Sequence, residues 1–588
     1  MTGGTRGGGG GLIRFTIQLV TGRWFMVVST FLVMSVSGTG YLFGIYSPEI
    51  KSSLGYDQST LNLLSFFKDL GSNVGVHAGL IMEIAPPWVV LIFGSVLNFF
   101  GYFMIWLAVT SRISKPPTWL MFLYICLGAN STAFTNTAAI IPCVKNFPKS
   151  RGVVLGLLKG FVGLSGGIFT QLYLAFYGTN AKSLILLISW LPGAFSLTFL
   201  GVIRYMRHVE QKNESKVFYK FLYVSLGLAG FLMVMTILQQ RFPFTRKEYV
   251  LSGFGVLLVL LSMFLIAFRE ELKNRQSELD YNASDTNDQV IRSPVHEPGT
   301  PEVAVTNDRA VDSCFENIFR PPSRGEDHTI LQALFSLDML ILLVSSICGL
   351  GGALSAIDNF GQIGESLGYS KKSIRTCVSL ISIWNYLGRV MSGFLSEHLL
   401  KKYKFPRPLM LTIILLLTCV GHILIALGVQ NGLYIASIII GLCFGAQWPL
   451  IYAIISELFG LKYYSTLYNM GTIASPIGGY IFNVRVTGFL YDKEARKQLR
   501  VSGRVRKAGE ELVCNGPKCF RVAFIIIACV TSFGMFTSMI LVLRTRKFYH
   551  SDIYKKFRDD AKSVEDETKD DGVLQEHEEK KMVTRLYE

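Results

Sequence analysis

The sequence predicts an all-α polytopic membrane protein with about 14 spans, arranged as two six-helix bundles plus two additional helices. Two observations of composition and length predict this fold class. Hydrophobic residue types make up 50% of the 588 residues, whereas charged types make up only 17%; soluble domains usually carry roughly 25% charged residues. Apolar segments of about 20 residues, the length that crosses a bilayer, recur along most of the chain.

The apolar segments follow one another in groups of six, two and six. The first group, residues 24–206, contains segments at roughly 24–46, 58–82, 88–110, 118–144, 152–177 and 182–206. The two additional helices, within residues 217–268, are predicted at roughly 217–238 and 248–268. The last group, residues 329–543, contains segments at roughly 329–355, 372–396, 408–428, 432–456, 463–485 and 521–543.

The remaining stretches are polar. Residues 269–328 are rich in Ser, Thr, Asn, Asp, Glu and Pro, a composition that cannot bury enough apolar area to order itself, so we expect a disordered loop. Residues 544–588 form a charged tail. Residues 1–23 form a Gly-rich N-terminus that lacks the basic, apolar and small-residue pattern of a secretory signal.

Positive charge predicts the orientation. The 57 Lys and Arg residues outnumber the 41 Asp and Glu residues, for a net charge of +16. Basic residues gather in short loops on the side of the N-terminus, for example Lys145, Lys149 and Arg151. Because such loops face the cytoplasm, we expect both termini and the 269–328 loop there. The loop at 239–247 carries three basic residues on the opposite side. The preference of basic residues for cytoplasmic loops therefore holds for the loops taken together, not for each one. Plasma membrane and endomembrane are both open as locations.

The long loop on the opposite side, about 486–520, contains Cys514-Asn-Gly-Pro-Lys-Cys519. This side of a membrane permits oxidation, so we expect a disulfide across the Gly-Pro turn, with two free thiols as the alternative. Two cysteines without a neighbouring His or Cys are too few for a zinc site, so no metal is expected.

Matching motifs recur in the two groups of six segments. Gly128-Ala-Asn130 in the first group corresponds to Gly445-Ala-Gln447 in the second, and Gly79-Leu-Ile-Met-Glu83 corresponds to Gly393-Phe-Leu-Ser-Glu397. Repeats of this kind are typical of transporters whose binding site lies where the two repeats meet. The repeat therefore favours two pseudo-equivalent bundles.

Several longer strings resemble the plant nodulin-like family of the major facilitator superfamily, which includes proteins named for a nuclear-fusion-defective phenotype. The resemblance runs from about residue 22 to 543. It rests on Gly22-Arg23-Trp24-Phe25, Phe67-Lys68-Asp69-Leu70-Gly71, Asn146-Phe147-Pro148-Lys149-Ser150-Arg151-Gly152, Leu158-Lys159-Gly160-Phe161, Asp358-Asn359 and Ser456-Glu457-Leu458-Phe459-Gly460-Leu461-Lys462-Tyr463-Tyr464. The resemblance implies a plant membrane protein of the major facilitator fold. One departure is that Glu83 is followed by Ile84-Ala-Pro-Pro87 rather than by the basic run of the superfamily.

Three charged residues within the predicted spans are the first candidates for substrate or coupling sites, because an unpaired charge inside a bilayer costs several kcal/mol. Lys68 and Asp69 lie near the middle of their segment. Since neighbours on a helix point about 100° apart, we expect them not to pair with each other, and we expect Lys159 to be the partner of Asp69. That bridge is either purely structural or leaves one lysine facing a cavity, where it would attract an anion.

Uncharged polar residues would orient a solute in such a cavity. Asn130, Gln171 and Gln447 are candidates, with Trp448 as an apolar wall. Each of these polar side chains is equally suited to a hydrogen bond between helices.

Four charged residues toward the predicted cytoplasmic ends are gate candidates: Glu83, Arg389, Glu397 and Glu457. Arg389 and Glu397 are eight residues apart and share a helix face, which predicts that both take part in a charge network between helices at the cytoplasmic gate, with Glu457 in the corresponding network. Breaking that network would shift the balance between inward-open and outward-open states.

The sequence contains no phosphate-binding loop, no His-Glu-x-x-His and no nucleophile elbow, so we expect neither an enzyme nor a cofactor. The hypothesis is a secondary transporter of a small organic solute, an anion because lysines outnumber carboxylates among the cavity candidates. The alternative is a non-transporting membrane sensor or scaffold with the same fold. Expected partners are a small-molecule solute and the lipid bilayer, with a coupling proton left open and no nucleic acid.

Overall fold

The computed structural model describes residues 18–56, 58–178, 180–206, 213–288, 321–429, 431–502 and 513–554 of the chain. Every regular element within these ranges is helical. The first bundle contains α1 (Arg23–Ser35), α2 (Phe43–Leu54), α3 (Gln58–Asn73), α4 (Val76–Ile84), α5 (Pro87–Val109), α6 (Thr118–Asn146), α7 (Arg151–Tyr177) and α8 (Ala181–Thr198).

The two additional helices are α9 (Glu214–Arg241) and α10 (Arg246–Asp288), and both pack against α7 of the first bundle. The second bundle contains α11 (Ile330–Leu334), α12 (Leu337–Ser366), α13 (Lys371–Tyr403), α14 (Arg407–Leu427), α15 (Gly432–Leu458), α16 (Tyr464–Thr472), α17 (Ala474–Gly478), a π-helical stretch (Gly479–Gly488), α18 (Phe489–Val501) and α19 (Lys518–His550).

All fourteen predicted segments are mainly helical, and ten helical stretches in the described part of the chain are long and apolar enough to cross a membrane. The chain is therefore an integral membrane protein. The other four segments are 58–82, 118–144, 372–396 and 463–485. Two of them are divided into shorter helices, α3 with α4 and α16 with α17. These four segments also supply much of the polar surface where the two bundles meet, which lowers their hydropathy.

Three predicted boundaries were wrong. The disordered loop expected from residue 269 begins later, because α10 continues through Asp288. Residues 269–280 are mostly good helix formers, and Glu270 pairs with Lys220 of α9 and with Lys273. The outer loop expected from 486 is helical as far as Val501. The tail expected from 544 is helical as far as His550, and residues 1–17, 289–320 and 555–588 lie outside the described residues.

The bundles meet mainly through two helix pairs, α4 with α16 and α7 with α13. Glycines permit these close contacts. A Cβ on Gly79 would lie 2.7 Å from Thr466 Cα, and a Cβ on Gly393 would lie 2.7 Å from Gly156 Cα. Small residues let helix backbones approach in this way. The repeated Gly-x-x-x-Glu motif therefore begins, in both bundles, at the interface between them.

Candidate functional site

A cavity of about 490 Å³ lies between the two bundles. Both bundles line it, and its walls combine aromatic rings with charged and amide side chains. The lining includes Tyr41, Lys68, Asp69, Asn136, Lys159, Asp358, Ser382, Asn385, Arg389, Trp448, Tyr452, Tyr468 and Asn469.

Lys159 lies on the floor of this cavity inside a cage of aromatic rings. Its Nζ is 4.9 Å from the ring centroid of Tyr452, 5.2 Å from that of Tyr468 and 5.9 Å from that of Trp448. Only 6% of the residue is exposed. In the described part of the chain no carboxylate lies within ion-pair distance of this ammonium group. Ring faces attract a cation but do not neutralise its charge.

Arg389 reaches the same cavity from α13 and is 3% exposed. Its Nη1 donates to the backbone carbonyl of Lys159 (2.8 Å), its Nη2 to the hydroxyl of Tyr41 (2.7 Å), and its Nε to Oδ1 of Asn385 (3.0 Å). All three acceptors are neutral. The prediction that Arg389 takes part in the gate network was therefore wrong: Arg389 bonds across the cavity, whereas Glu397 and Glu457 do lie in a charge network between helices, described below.

Lys68 and Asp69 pair with each other, with Nζ 3.0 Å from Oδ1. The expectation that they would not pair was wrong, and so was the expected bridge from Asp69 to Lys159. Although the two side chains leave the helix in different directions, the four-carbon stem of Lys68 is long and flexible enough to bend back to its neighbour. Since this pair is internally neutral, the remaining charged residues of the lining are Lys159, Arg389 and Asp358, which leave a formal net charge of +1.

The cavity is open toward one side of the interface, which we call the mouth. Tyr41 is 50% exposed, and Asp358 and Ser382 on the opposite wall are also exposed. On the other side Tyr452 and Tyr468 are fully buried, with ring centroids 4.2 Å apart. These two tyrosines close the cavity below Lys159.

Beyond these tyrosines the bundles are joined at the end that carries the loops 85–86, 147–150, 404–406 and 459–463, here called the interlocked end. Glu83 of α4 accepts hydrogen bonds from the Ser465 hydroxyl, the Thr466 backbone N–H (3.2 Å) and the Thr466 hydroxyl (3.3 Å). Arg151 Nη1 donates to the carbonyl of Ser456 (2.8 Å). Each of these bonds crosses from one bundle to the other.

A buried charge cluster lies beside these bonds. Arg407, the first residue of α14, places Nη2 2.6 Å from Glu397 Oε2 and Nε 2.7 Å from Glu457 Oε1. Glu397 Oε2 also accepts from the backbone N–H of Gly152 in the first bundle (3.2 Å). The Tyr554 hydroxyl donates to Glu397 Oε1 (3.1 Å). Burial raises the pKa of Tyr554, so the hydroxyl keeps its proton and acts as a donor.

Arg407 is the charged member of this cluster that the sequence did not single out. It follows Lys401, Lys402 and Lys404 in the sequence and does not stand out among these basic residues. A usable signal was present: Glu397 and Glu457 lie at the ends of predicted spans and each needs a cation, and Arg407 directly precedes the apolar segment 408–428.

The amide side chains of the candidate residues mainly form hydrogen bonds within the helical framework. Asn130 donates to the carbonyls of Gly71 (2.7 Å) and Val74 (2.8 Å), where α3 gives way to α4. A break between two helices leaves such carbonyls without a backbone donor, and the Asn130 side chain provides the N–H groups instead. The structure places Gln171 away from the cavity, contrary to expectation, because it binds Gln239 of α9 (2.8 Å).

Gln447 is fully buried and donates to the carbonyl of Cys443 (3.2 Å), outside the cavity lining. Its neighbour Trp448 does line the cavity, and the indole N–H has no acceptor within the described residues. Cys514 and Cys519 form a disulfide. The described residues contain no group of three or more His, Cys, Asp or Glu that could hold a metal ion.

Known protein families match both halves of the chain. Residues 23–268 match the family described as Nodulin-like, and residues 331–551 match the NFD4 C-terminal domain. The protein NUCLEAR FUSION DEFECTIVE 4 of Arabidopsis thaliana is 25% identical over 541 residues, which cover 90% of each chain. A probable transporter, MCH1, of Wickerhamomyces anomalus is 22% identical over 461 residues, which cover 78% of this chain and 77% of that one.

Two solved transporters of the major facilitator superfamily are also similar. The proton:xylose symporter XylE is 11% identical, with a TM-score of 0.48 over 89% of this chain and 96% of that one. The fucose:proton symporter FucP in its outward conformation is 14% identical, with a TM-score of 0.47 over 88% and 99%.

Proposed function

We propose that this chain, whose residues 23–268 match the Nodulin-like family and whose residues 331–551 match the NFD4 C-terminal domain, is a secondary transporter of a small organic anion. The observation that carries the proposal is the pair of buried cations, Lys159 and Arg389, in a cavity between the bundles. Neither cation has a carboxylate within ion-pair distance in the described part of the chain. The relative named as a probable transporter supports the transport class.

An anion would complete the bonding of this cavity. Arg389 uses one N–H of each terminal nitrogen on a neutral acceptor, and each nitrogen carries a second N–H. Lys159 and the indole N–H of Trp448 add further donors on the same floor. A carboxylate accepts from such donors and neutralises one of the two charges. A volume of about 490 Å³ suits a small organic molecule.

The same charges supply a reason for alternating access. In the present state the mouth is open, so water can enter the cavity that Lys159 and Arg389 line. Closing the mouth over an empty cavity would leave both cations dehydrated and unpaired, which is strongly unfavourable. A bound anion removes much of that penalty. We therefore expect the anion to promote closure of the mouth, followed by separation of the interlocked end.

The test is uptake into proteoliposomes containing the purified full chain. The panel comprises small monocarboxylates and dicarboxylates, amino acids and sugars, each under imposed proton and sodium gradients; the proton arm tests a coupling proton. We expect saturable uptake of an organic anion. Loss of a buried charge partner typically weakens binding by 2–5 kcal/mol, so Lys159→Gln and Arg389→Gln should each weaken it roughly 30-fold or more.

Lys182→Gln is the matched control, because Lys182 is an exposed lysine that pairs with Glu49 away from the cavity lining. It should transport as the parent does. Uptake of a neutral solute at a rate that neither cavity substitution changes would contradict the anion proposal. A folded protein that moves no member of the panel under any gradient would favour the sensor or scaffold alternative.

A further inference from the structure

A second cavity, of about 640 Å³, lies at the interlocked end within the second bundle. Its walls are the stretch 321–324, the start of α12, the end of α15 and the last turns of α19. It shares no lining residue with the cavity between the bundles. No step of the proposed transport cycle uses it.

Two arginines and one carboxylate form the polar wall of this second cavity. Arg324 Nε lies 2.7 Å from Asp338 Oδ2, and Arg544 Nε lies 2.6 Å from Asp338 Oδ1. The Asp338 side chain is 9% exposed, whereas those of Arg324 and Arg544 are 34% and 38% exposed. The carboxylate is thus buried between two guanidinium groups that both reach solvent, and the trio keeps a net charge of +1.

The orientation of the two guanidinium groups matters more than their charge. Because each binds Asp338 through Nε, the terminal nitrogens of Arg324 and Arg544 remain available, with no acceptor in the described part of the chain. A guanidinium group presents its N–H donors as a fixed fork that matches the oxygens of a phosphate. Asp338 holds two such forks at one cavity.

We propose that this cavity binds the phosphate monoester group of a ligand, with Arg324 and Arg544 as its two clamps. A phosphate monoester carries about two negative charges at neutral pH, so it more than offsets the single net positive charge of the trio and can accept hydrogen bonds from both forks. Two sources offer this chemistry. One is the headgroup of a phosphatidic acid, whose acyl chains would lie along Phe335 and Leu337, exposed apolar residues at the cavity wall. The other is a soluble phosphate ester or free phosphate.

The cavity is physically joined to the interlocked end. Gly325 N–H donates to the carbonyl of Leu458 (3.0 Å), and His328 N–H donates to that of Phe459 (3.1 Å). Asp327 Oδ1 accepts from the backbone N–H groups of Leu461 (2.9 Å) and Lys462 (3.0 Å). These bonds attach the stretch 325–328 to the loop directly after Glu457. A ligand that rigidifies Arg324 would therefore also hold this loop, and with it the closed state of the interlocked end.

Binding is measured by titration calorimetry on the purified full chain in detergent. The probes are inorganic phosphate, glycerol 3-phosphate and dioctanoyl phosphatidic acid, with dioctanoyl phosphatidylcholine as a phosphodiester lipid that lacks the dianion. We expect saturable binding of at least one phosphate monoester or of phosphate itself. Similar affinities for all three indicate a soluble source, and binding of phosphatidic acid alone indicates a headgroup; both results support the site.

The variants separate the site from a structural role. Arg324→Lys and Arg544→Lys keep a cation for Asp338 but remove the fork, and each should weaken binding roughly tenfold. Arg546→Gln, on the exposed face of the same helix, should bind as the parent does. Bound probe should also slow hydrogen exchange in residues 458–463. The proposal is overturned if none of the three phosphates binds, if phosphatidylcholine binds as well as phosphatidic acid, or if both Lys variants retain parental affinity.

Discussion

Two clusters of buried charge lie on the interface between the bundles, and they differ in how their charge is neutralised. At the interlocked end, Arg407 contacts two carboxylates, those of Glu397 and Glu457. In the cavity, Lys159 and Arg389 contact rings, a hydroxyl, an amide and a carbonyl, all neutral. In the first cluster the buried cation is paired with carboxylates without any ligand. In the second cluster the two cations have no counter-charge within the described residues, and some of their N–H donors have no acceptor there.

This difference indicates which buried charges hold the fold and which await a ligand. Removing one partner of a completed buried pair leaves the other charge without compensation, which costs several kcal/mol of stability. Removing a buried cation that has no counter-charge takes away a desolvation penalty instead. Stability and transport should therefore respond oppositely to substitutions in the two clusters.

The largest loss of stability is expected for Arg407→Gln. Glu457 would remain buried without a cation, and Glu397 would keep only the surface pair with Lys401, so the free energy of unfolding should fall by about 3–5 kcal/mol. Thermal unfolding of the purified protein in detergent measures this. Lys401→Gln is the control, because Lys401 pairs with the same Glu397 from the surface (3.4 Å, 42% exposed) and should cost at most about 1 kcal/mol. Equal losses in the two variants would refute the distinction between them.

A smaller effect is expected from a steric wedge at the same end. A Cβ on Gly393 would lie 2.6 Å from the carbonyl oxygen of Gly152, so Gly393→Ala should disfavour the interlocked state by about 1–3 kcal/mol. Hydrogen exchange in residues 147–156 should become faster. Gly227→Ala in α9, where an added Cβ meets no described atom within 4 Å, serves as control. Unchanged protection in Gly393→Ala would show that this contact does not hold the bundles together.

Tyr554→Phe should have a weaker effect. Its hydroxyl donates to Glu397, but Arg407 still neutralises that carboxylate, so we expect a loss of about 0.5–1.5 kcal/mol in the free energy of unfolding. Thermal unfolding measures it, with the exposed Tyr403→Phe as a matched control that should lose nothing. A loss as large as that of Arg407→Gln would mean that the segment after α19, rather than the ion pairs, dominates the cluster.

The smallest effect on stability, and the most informative, is expected for Lys159→Met. The substitution removes a buried charge without a counter-charge and keeps most of the apolar stem, so the free energy of unfolding should stay within about 0.5 kcal/mol or rise. Uptake of the anion should nevertheless be lost. If Lys159→Met unfolds at as low a temperature as Arg407→Gln, then Lys159 stabilises the fold, and the two clusters do not differ in the way described.

The sequence predicts the helical segments well, because hydropathy is a local property of some 20 residues, and in the part of the chain that the structure describes ten of the fourteen segments are also apolar enough to cross a membrane. It fails where a boundary depends on distant contacts: α10 continues beyond residue 269, and Glu270 there is held by Lys220, some 50 residues earlier in the chain.

The candidate site was predicted in part. Lys159 and Trp448 do lie in the cavity, since a charge or a large polar ring in a span is already unusual. Partners could not be predicted, because they depend on side-chain reach and on which helices become neighbours. For this reason Lys68 pairs with Asp69 and Gln171 binds α9. Arg389 likewise shares a helix with Glu397 but belongs to the other cluster.

The most direct test of the account is the movement of both ends of the interface when an anion binds. Spin labels at Ile84 and Tyr403, both exposed at the interlocked end, report on that end. Labels at Leu63 and Val378, exposed toward the mouth, report on the other. Electron–electron resonance distances are then measured in liposomes, without and with the anion identified by uptake.

The account predicts opposite changes: with the anion the Leu63–Val378 distance shortens and the Ile84–Tyr403 distance lengthens in a growing fraction of molecules. The change should be absent in Lys159→Gln. If the anion is taken up while both distances stay fixed, or if both lengthen together, then the unpaired cations do not couple solute binding to alternating access.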